Sequence, residues 1–416
     1  MPINGYHVAL AFLSGAALIL SIEHFLVVPR RKTNLEDVWC QRQFHGDHLG
    51  IESLIGNTPL FVVKSLSAAT GCTILAKAEF INGAGGSPKD RVALSIIQTA
   101  EEEGLLTPYS GDTIYEGTVG STGISLATLC RARGYLAHIC MPSDQSTEKS
   151  DLLLKLGAIV ERVKPAPIVD QNHFVNRARQ LAEDHTANPE KKGRGFFANQ
   201  FETDANWRVH FEQTGPEIYE QCNGQIDAFV AGAGTGGTIS GVAKYLKSKL
   251  SNVKIVLADP QGSGLYHKIK HGVMFHGQER EGTRRRDQVD TMVEGIGLTR
   301  STSNFEAGAA FIDDAVKVSD AQAKAMAKYL VEKDGIFVGS SSAVNCECHS
   351  DGQRYQNTIL IRLGVAAVET ALNLGPGHRI VTILCDSGMR HLSKFWAQVG
   401  KVGEGDETTF AEILAK

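Results

Sequence analysis

Apolar residues run almost without interruption through Thr73–Phe80, Leu136–Met141, Ile159–Val163, Ile226–Ala231, Val253–Ala258 and Arg379–Cys385. Runs of this kind predict parallel strands covered on both faces. Between them the spacing becomes helical. Ala93, Ile96, Ile97 and Ala100 fall at i, i+3, i+4 and i+7 and form one stripe that packs against a sheet. The alternation of the two patterns predicts the α/β class. The N-terminus departs from it: Val8–Ile22 is uncharged, Glu23 and His24 interrupt, Phe25–Val28 is apolar again, and Arg30, Arg31 and Lys32 follow. With its interruption included, Val8–Val28 is just long enough to cross a bilayer. No basic residue precedes the run and no small-residue cleavage site follows, so residues 1–34 are expected to be a retained transmembrane anchor rather than a secretory signal. The basic flank would hold the remainder of the chain in the cytosol.

Charge and cysteine content narrow the function classes. The 42 Lys and Arg against 46 Asp and Glu give a net charge of −4, and no basic run offers nucleic acid a footprint. The partner is then a small molecule. The 8 cysteines are scattered without a CxxC pair and read as reduced thiols. Cys346, Cys348 and His349 form a CxCH patch with no matching second half, so no metal site is expected.

The 43 glycines carry the chemistry, because they fall in tight clusters that let a ligand approach the backbone. Gly232-Ala-Gly-Thr-Gly-Gly-Thr238 follows a predicted strand and opens the helical pattern Ile239–Leu246. A glycine turn at a helix start gathers backbone N–H groups at the positive dipole end, which is a phosphate cradle. Asn82–Arg91 is a second glycine-rich turn and delivers Lys89 to a helix start, where the dipole disfavours the ammonium and preserves a nucleophilic amine. The third cluster, Glu116–Gly123, follows the short strand Thr113–Tyr115 and offers hydroxyls and N–H groups to a carboxylate. One turn for phosphate, one for carboxylate and one presenting an amine point to a phosphorylated cofactor held through lysine and acting on an amino acid.

These clusters belong to a longer series: IGNTPL at 55–60, GGSPKDR at 85–91, AEEEGLL at 100–106, EGTVGSTGIS at 116–125, ANQFE at 198–202, TGPEI at 214–218, GAGTGGTISG at 232–241, EGIG at 294–297, GIFVGSSSA at 335–343 and DSGMRHLS at 386–393. In this order the motifs resemble the cysteine synthase and cystathionine β-synthase family of pyridoxal-phosphate enzymes, from Ile51 to about Trp396. The resemblance implies fold type II: two open, mostly parallel twisted sheets flanked by helices, as in the tryptophan synthase β subunit. The catalytic domain would span 45–396, with a smaller subdomain over roughly 86–198, a larger one over 45–85 plus 199–396, and a tail at 397–416.

The resemblance also implies the site. Lys89 forms the Schiff base with pyridoxal 5'-phosphate, Gly234, Thr235, Gly236, Gly237 and Thr238 hold its phosphate, and Ser387 meets the pyridine nitrogen. Thr118, Thr122 and Gln200 take the substrate carboxylate, and Gly295 lines the mouth. The implied activity is β-replacement, O-acetylserine plus sulfide giving cysteine and acetate, by a homodimer. The alternatives are another β-elimination or replacement, of the cystathionine β-synthase or cysteine desulfhydrase kind, and a weakly active, membrane-tethered cofactor-binding scaffold. The short anchor with its basic flank favours the mitochondrial outer membrane.

Two features depart from the family pattern. Most members of the family it resembles read Thr-Ser-Gly-Asn-Thr where this chain has Thr118-Val119-Gly120-Ser121-Thr122. Val119 removes a hydroxyl from the carboxylate turn, and Ser121 replaces an amide that would reach the cofactor ring's hydroxyl oxygen. Each lost hydrogen bond to a charged group weakens binding by about 1.5–3 kcal/mol. In addition, residues 347–364 interrupt a helix that is continuous once they are removed, which suggests a retained intron or a surface insertion.

Overall fold

The computed structural model describes residues 50–275, 291–346 and 366–402. The expected anchor at 1–34, the insertion at 347–364, Cys348 and His349 lie outside the described residues.

Among the described residues, ten strands form two sheets. In chain order they are β1 Leu60–Val62, β2 Thr73–Ala78, β3 Thr113–Gly117, β4 Leu136–Pro142, β5 Ile159–Val163, β6 Gly195–Phe197, β7 Ala228–Gly232, β8 Lys254–Pro260, β9 Asp314–Val318 and β10 Arg379–Leu384. The six-stranded sheet runs β1-β2-β10-β7-β8-β9, and the four-stranded sheet runs β5-β4-β3-β6. Every pairing is parallel except β1 with β2.

The uninterrupted apolar runs are explained by burial on both faces. In β10, Ile380 and Leu384 enter one core cluster while Val381 and Ile383 enter another. In β8, Val256 and Ala258 divide from Ile255 and Leu257 in the same way, since successive side chains point to opposite faces. A third cluster gathers Ile114, Ile139 and Met141 of the four-stranded sheet with Val92, Ala93, Ile96, Ile97 and Ala100. Ala93, Ile96, Ile97 and Ala100 are the predicted stripe, which with Val92 lies on helix α1, Lys89–Glu102.

Most predicted strands are trimmed or extended by one or two residues, and in β2 and β7 the cause is visible. β2 stops at Ala78 because Glu79 opens a 3₁₀ turn and its carboxylate enters a buried ion network. β7 begins two residues after Ile226, the Asp227 carboxylate being used to receive the Arg379 N–H at 2.6 Å. β3 runs on to Gly117.

Strands β3, β7 and β10 end at 117, 232 and 384, and the loops at 118–122, 232–238 and 385–391 follow directly. Open parallel sheets bind ligands outside the carboxyl ends of their strands, which is where these loops stand.

Candidate active site

Lys89 opens α1, and the chain before it is shaped by the residue after it. The Asp90 carboxylate folds back and accepts the N–H of Gly85 at 2.7 Å and of Gly86 at 2.9 Å, and the Ser125 hydroxyl at 2.5 Å. A Cβ on Gly85 would lie 2.5 Å from that carboxylate and 2.7 Å from Ser125 Oγ, so the turn requires glycine. On the next residue, Arg91 is held by Glu79 at 2.8 Å and by Glu217 at 2.6 Å, and Lys77 reaches the same Glu217 at 2.6 Å. Two acids and two bases thus fix the first turn of α1. Lys89 is the first residue of that turn, and its Nζ makes no hydrogen bond among the described residues. Burial lowers its pKa, and Cys385 and Asp386 oppose this only in part.

The second loop leads from β7 into helix α2, Gly237–Lys249. Gly236 sits at φ +91°, and a Cβ there would lie 2.5 Å from Phe305 Cα. Side chains on Gly234 and Gly237 would run into the Gly295 carbonyl and Asn206 Oδ1. The first N–H groups of a helix have no partner within it. This turn therefore presents bare backbone donors where no side chain can intrude. Thr235 Oγ1 accepts the Asn206 amide at 2.9 Å, and Thr238 Oγ1 lies 3.2 Å from His210 Nε2. Burial, and then the charges of Arg91 and Lys89, push His210 well below its ordinary pKa, so it stands there as neutral imidazole.

The third loop follows β3. Thr118 Oγ1 accepts the Gly120 N–H at 3.2 Å, and Thr122 donates to Gln200 Oε1 at 2.5 Å. Gln200 in turn donates through Nε2 to Glu116 and to the Gly117 carbonyl, both at 3.3 Å. Burial pushes the Glu116 carboxyl up to about 8, against the hydrogen bonds from Gln200.

These three loops line one cavity of about 330 Å³. Lys89, Thr118, Ser121, Thr122, Gln200, Gly234, Thr235, Gly236, Thr238 and Gly295 all face it, as does Val119. Two of the residues singled out from sequence do not line it. Gly237 lies one step inside α2, packed on Asn206. Ser387 is half-buried and its Oγ caps the 3₁₀ turn Gly388–Arg390 by accepting the Met389 N–H.

Sequence reasoning missed a row of ionisable side chains in the same cavity. Lys149 donates to Glu294 at 2.6 Å, and His391 lies 3.0 Å from both Glu294 and Asp386. Glu294 and Asp386 stand inside quoted motifs, EGIG and DSGMRHLS, and were open to notice. Lys149, on the helix Thr147–Lys155, carried no local signal. Away from the cavity, His138, Cys140 and Glu161 bring possible ligand atoms within 4.8 Å of one another. Arg177 already holds Glu161 at 2.7 Å and burial pushes the Cys140 thiol up to about 12, so the electrostatics there oppose a cation.

Comparison with known proteins agrees with this geometry. The family model described as pyridoxal-phosphate dependent enzyme matches residues 51–351. The chain is 66% identical over 374 residues to cysteine synthase 2 of Emericella nidulans, covering 88% of this chain and 83% of that protein. It is 53% identical over 357 residues to a Saccharomyces cerevisiae protein named "Putative mitochondrial cysteine synthase", covering 85% of each. Among solved structures, an O-ureido-L-serine synthase with O-ureido-L-serine bound superposes with a TM-score of 0.68 at 27% identity, over 86% of this chain and 95% of that one.

The comparisons overturn the expected location at a membrane. The yeast relative carries a mitochondrial name with no anchor in it. Among the described residues, no helix is long and apolar enough to cross a bilayer. The stretch Val8–Val28 reached spanning length only by counting through Glu23 and His24, two residues that each oppose insertion. A family model over most of the chain, close relatives at high coverage, and a lysine amine facing glycine-built donors lead to one assignment: the chain belongs to the family of pyridoxal-phosphate-dependent enzymes.

Proposed function

We infer that the cavity is the active site of a cysteine synthase that makes L-cysteine and acetate from O-acetyl-L-serine and sulfide. The protein is an enzyme of cysteine biosynthesis that depends on pyridoxal phosphate. The observation that carries the reading is a buried lysine amine with a lowered pKa, in one cavity with a donor-rich glycine turn and a hydroxyl-bearing helix start.

The residues present fit the cofactor. The turn at 234–238 excludes side chains where a phosphate dianion would sit, and the α2 dipole favours that charge. Neutral His210 orients the Thr238 hydroxyl, and Asn206 orients Thr235. When bound, pyridoxal phosphate supplies an aldehyde for imine exchange with the amino acid and a ring that accepts the electron pair released at Cα.

The chain's own part is binding and proton transfer. Thr118, Thr122 and the N–H groups opening the helix Ser121–Arg133 take the substrate carboxylate, with Gln200 behind Thr122 holding its hydroxyl. Lys89 Nζ, whose pKa burial lowers from its ordinary value, takes the Cα proton. The Cβ–O bond then breaks, acetate leaves with that electron pair, and sulfide forms the Cβ–S bond as a proton returns to Cα. Val119 presents a methyl face to the cavity, so the carboxylate depends on the hydroxyls of Thr118 and Thr122. A homodimer belongs to the same reading, and sedimentation velocity of the purified chain measures it.

The test uses the full-length enzyme loaded with pyridoxal phosphate, given O-acetyl-L-serine and sulfide, beside Lys89→Ala. Wild type is expected to form cysteine, and the variant to lose roughly a hundredfold to ten-thousandfold in rate. Borohydride reduction followed by peptide mass spectrometry is expected to fix the cofactor on Lys89. A loaded wild type that forms no cysteine, or a label on another residue, defeats the reading.

A further inference from the structure

Lys149, Glu294, Asp386 and His391 form a continuous row along the cavity wall, and its composition differs from that of the rest of the wall. Lys149 Nζ donates to Glu294 Oε2 at 2.6 Å, His391 Nδ1 lies 3.0 Å from that same oxygen, and His391 Nε2 lies 3.0 Å from Asp386 Oδ2. None of the four residues is more than 7% exposed. They come from three separate stretches of chain. Lys149 is carried by the helix after β4 of the four-stranded sheet, Glu294 by the segment before Gly295, and Asp386 and His391 by the loop after β10 of the six-stranded sheet. The row therefore bridges elements of both sheets across the cavity.

Both ends of the row meet the machinery. A Cβ on Gly120 would lie 2.7 Å from Lys149 Cδ, so the lysine stem packs directly beneath the 118–122 turn. At the other end Asp386 faces Lys89 and favours its charged form. Glu294 Oε1 and Asp386 Oδ1 are buried without a hydrogen bond among the described residues. Buried charges persist where partners are fixed in place, and removing one partner strands the others.

Resting on the cysteine-synthase reading, we propose that Lys149, Glu294 and His391 are positioning residues that hold the 118–122 turn where it takes the carboxylate of the amino-acid substrate. His391 is the joint, because its two ring nitrogens face two separate carboxylates and satisfy both only as imidazolium. Burial works against that charge, but Asp386 and Glu294 outweigh it and raise the pKa to about 9. The charged groups around it are Asp386, Arg390 and Lys394 from its own segment, Glu294 from the segment before Gly295, Lys149 and Glu148 from the helix Thr147–Lys155, and Lys89 beyond Asp386. Once His391 loses its proton, the two buried carboxylates lose the cation that lies between them, and the turn is held at one fewer point.

The test is spectral titration of the cofactor-loaded, full-length enzyme with O-acetyl-L-serine and with L-serine, together with steady-state kinetics. His391→Asn and Lys149→Met are each expected to weaken amino-acid binding and raise KM about tenfold, with kcat changed less than about twofold. The double variant is expected to lose about as much as either single one, because the two residues act through Glu294. Lys149→Arg is expected to restore most of the binding. In wild type, binding is expected to weaken through about pH 9, and His391→Asn is expected to remove that part, leaving the titration of the substrate amine common to both.

Unchanged binding in both single variants overturns the proposal. So do losses that multiply in the double variant, or a fall in kcat with KM unchanged. If His391→Asn does not fold, Lys149→Met with its Arg rescue decides alone. A wild type that binds these amino acids yet forms no cysteine with sulfide defeats the reaction assigned above and leaves this proposal standing.

Discussion

Gly236 shows how far a single position constrains the site. Its φ of +91° is one that L side chains rarely adopt, and the backbone of Phe305 occupies the space a Cβ would need. Gly236→Ala is expected to cost about 2–4 kcal/mol, the sum of left-handed strain and overpacking. Because the strain falls on the donors of the turn, cofactor affinity is expected to drop as well, measured by absorbance titration of the purified variant with pyridoxal phosphate. Lys89 illustrates the opposite case, in which the side chain itself is the function. Its spacing in GGSPKDR was visible in the sequence, and so was the helix start it occupies. The Asp90 carboxylate that folds back to shape the turn, and the burial that lowers the amine's pKa, exist only once β2, α1 and the loop after β10 meet.

The first turn of α1 is set by the buried network of Lys77, Glu79, Arg91 and Glu217. Glu79 is fully buried and keeps its charge because Arg91 outweighs the cost of burial. Arg91→Met is expected to destabilise the fold by about 3–5 kcal/mol, since Glu79 is left without its partner. Urea denaturation checks this, and adding Glu79→Gln to Arg91→Met is expected to recover part of the loss. Element recognition succeeded or failed for similarly local reasons. The parallel strands with near-continuous apolar runs were legible. β9 was not, because Asp314 and Lys317 break its run, although Ser319 and Gln322 after it form a capping box that marks the next helix. β1 and β6 have three residues each, too few to show a period.

Across the whole molecule, the row through His391 links stability to pH. The folded pKa of about 9 lies above the ordinary 6.5, so the native state holds the proton more tightly than the unfolded chain. The resulting stabilisation is fully present below about pH 6.5 and lost as pH rises through about 9. It is on the order of 3 kcal/mol at its full value, and about 2 kcal/mol are expected to disappear between about pH 7 and 9.5. Glu116, raised to about 8 by burial, acts in the same direction over the lower part of that range. Urea midpoints measured across the range are expected to fall toward alkaline pH, less steeply in His391→Asn.

Properties that depend on neighbours along the chain could be read without a structure: strand and helix periods, the glycines a tight turn demands, the lysine at a helix start, and the order of motifs that marks the family. Properties that depend on neighbours in space could not. Lys149 and Glu294, or His210 and Thr238, leave no trace in spacing, because a side chain's partner across a cavity imposes no period on the sequence that carries it. Ser387 marks the boundary between the two kinds of knowledge. Its motif could be recognised, but whether its hydroxyl faces the cavity or caps the turn Gly388–Arg390 depends on how the loop after β10 packs. Local geometry follows from covalent constraints and short-range sterics, which the sequence carries directly. The pKa values, the ion row and the cavity wall follow from burial and charge brought together by the fold, and these arise only when the two sheets are assembled.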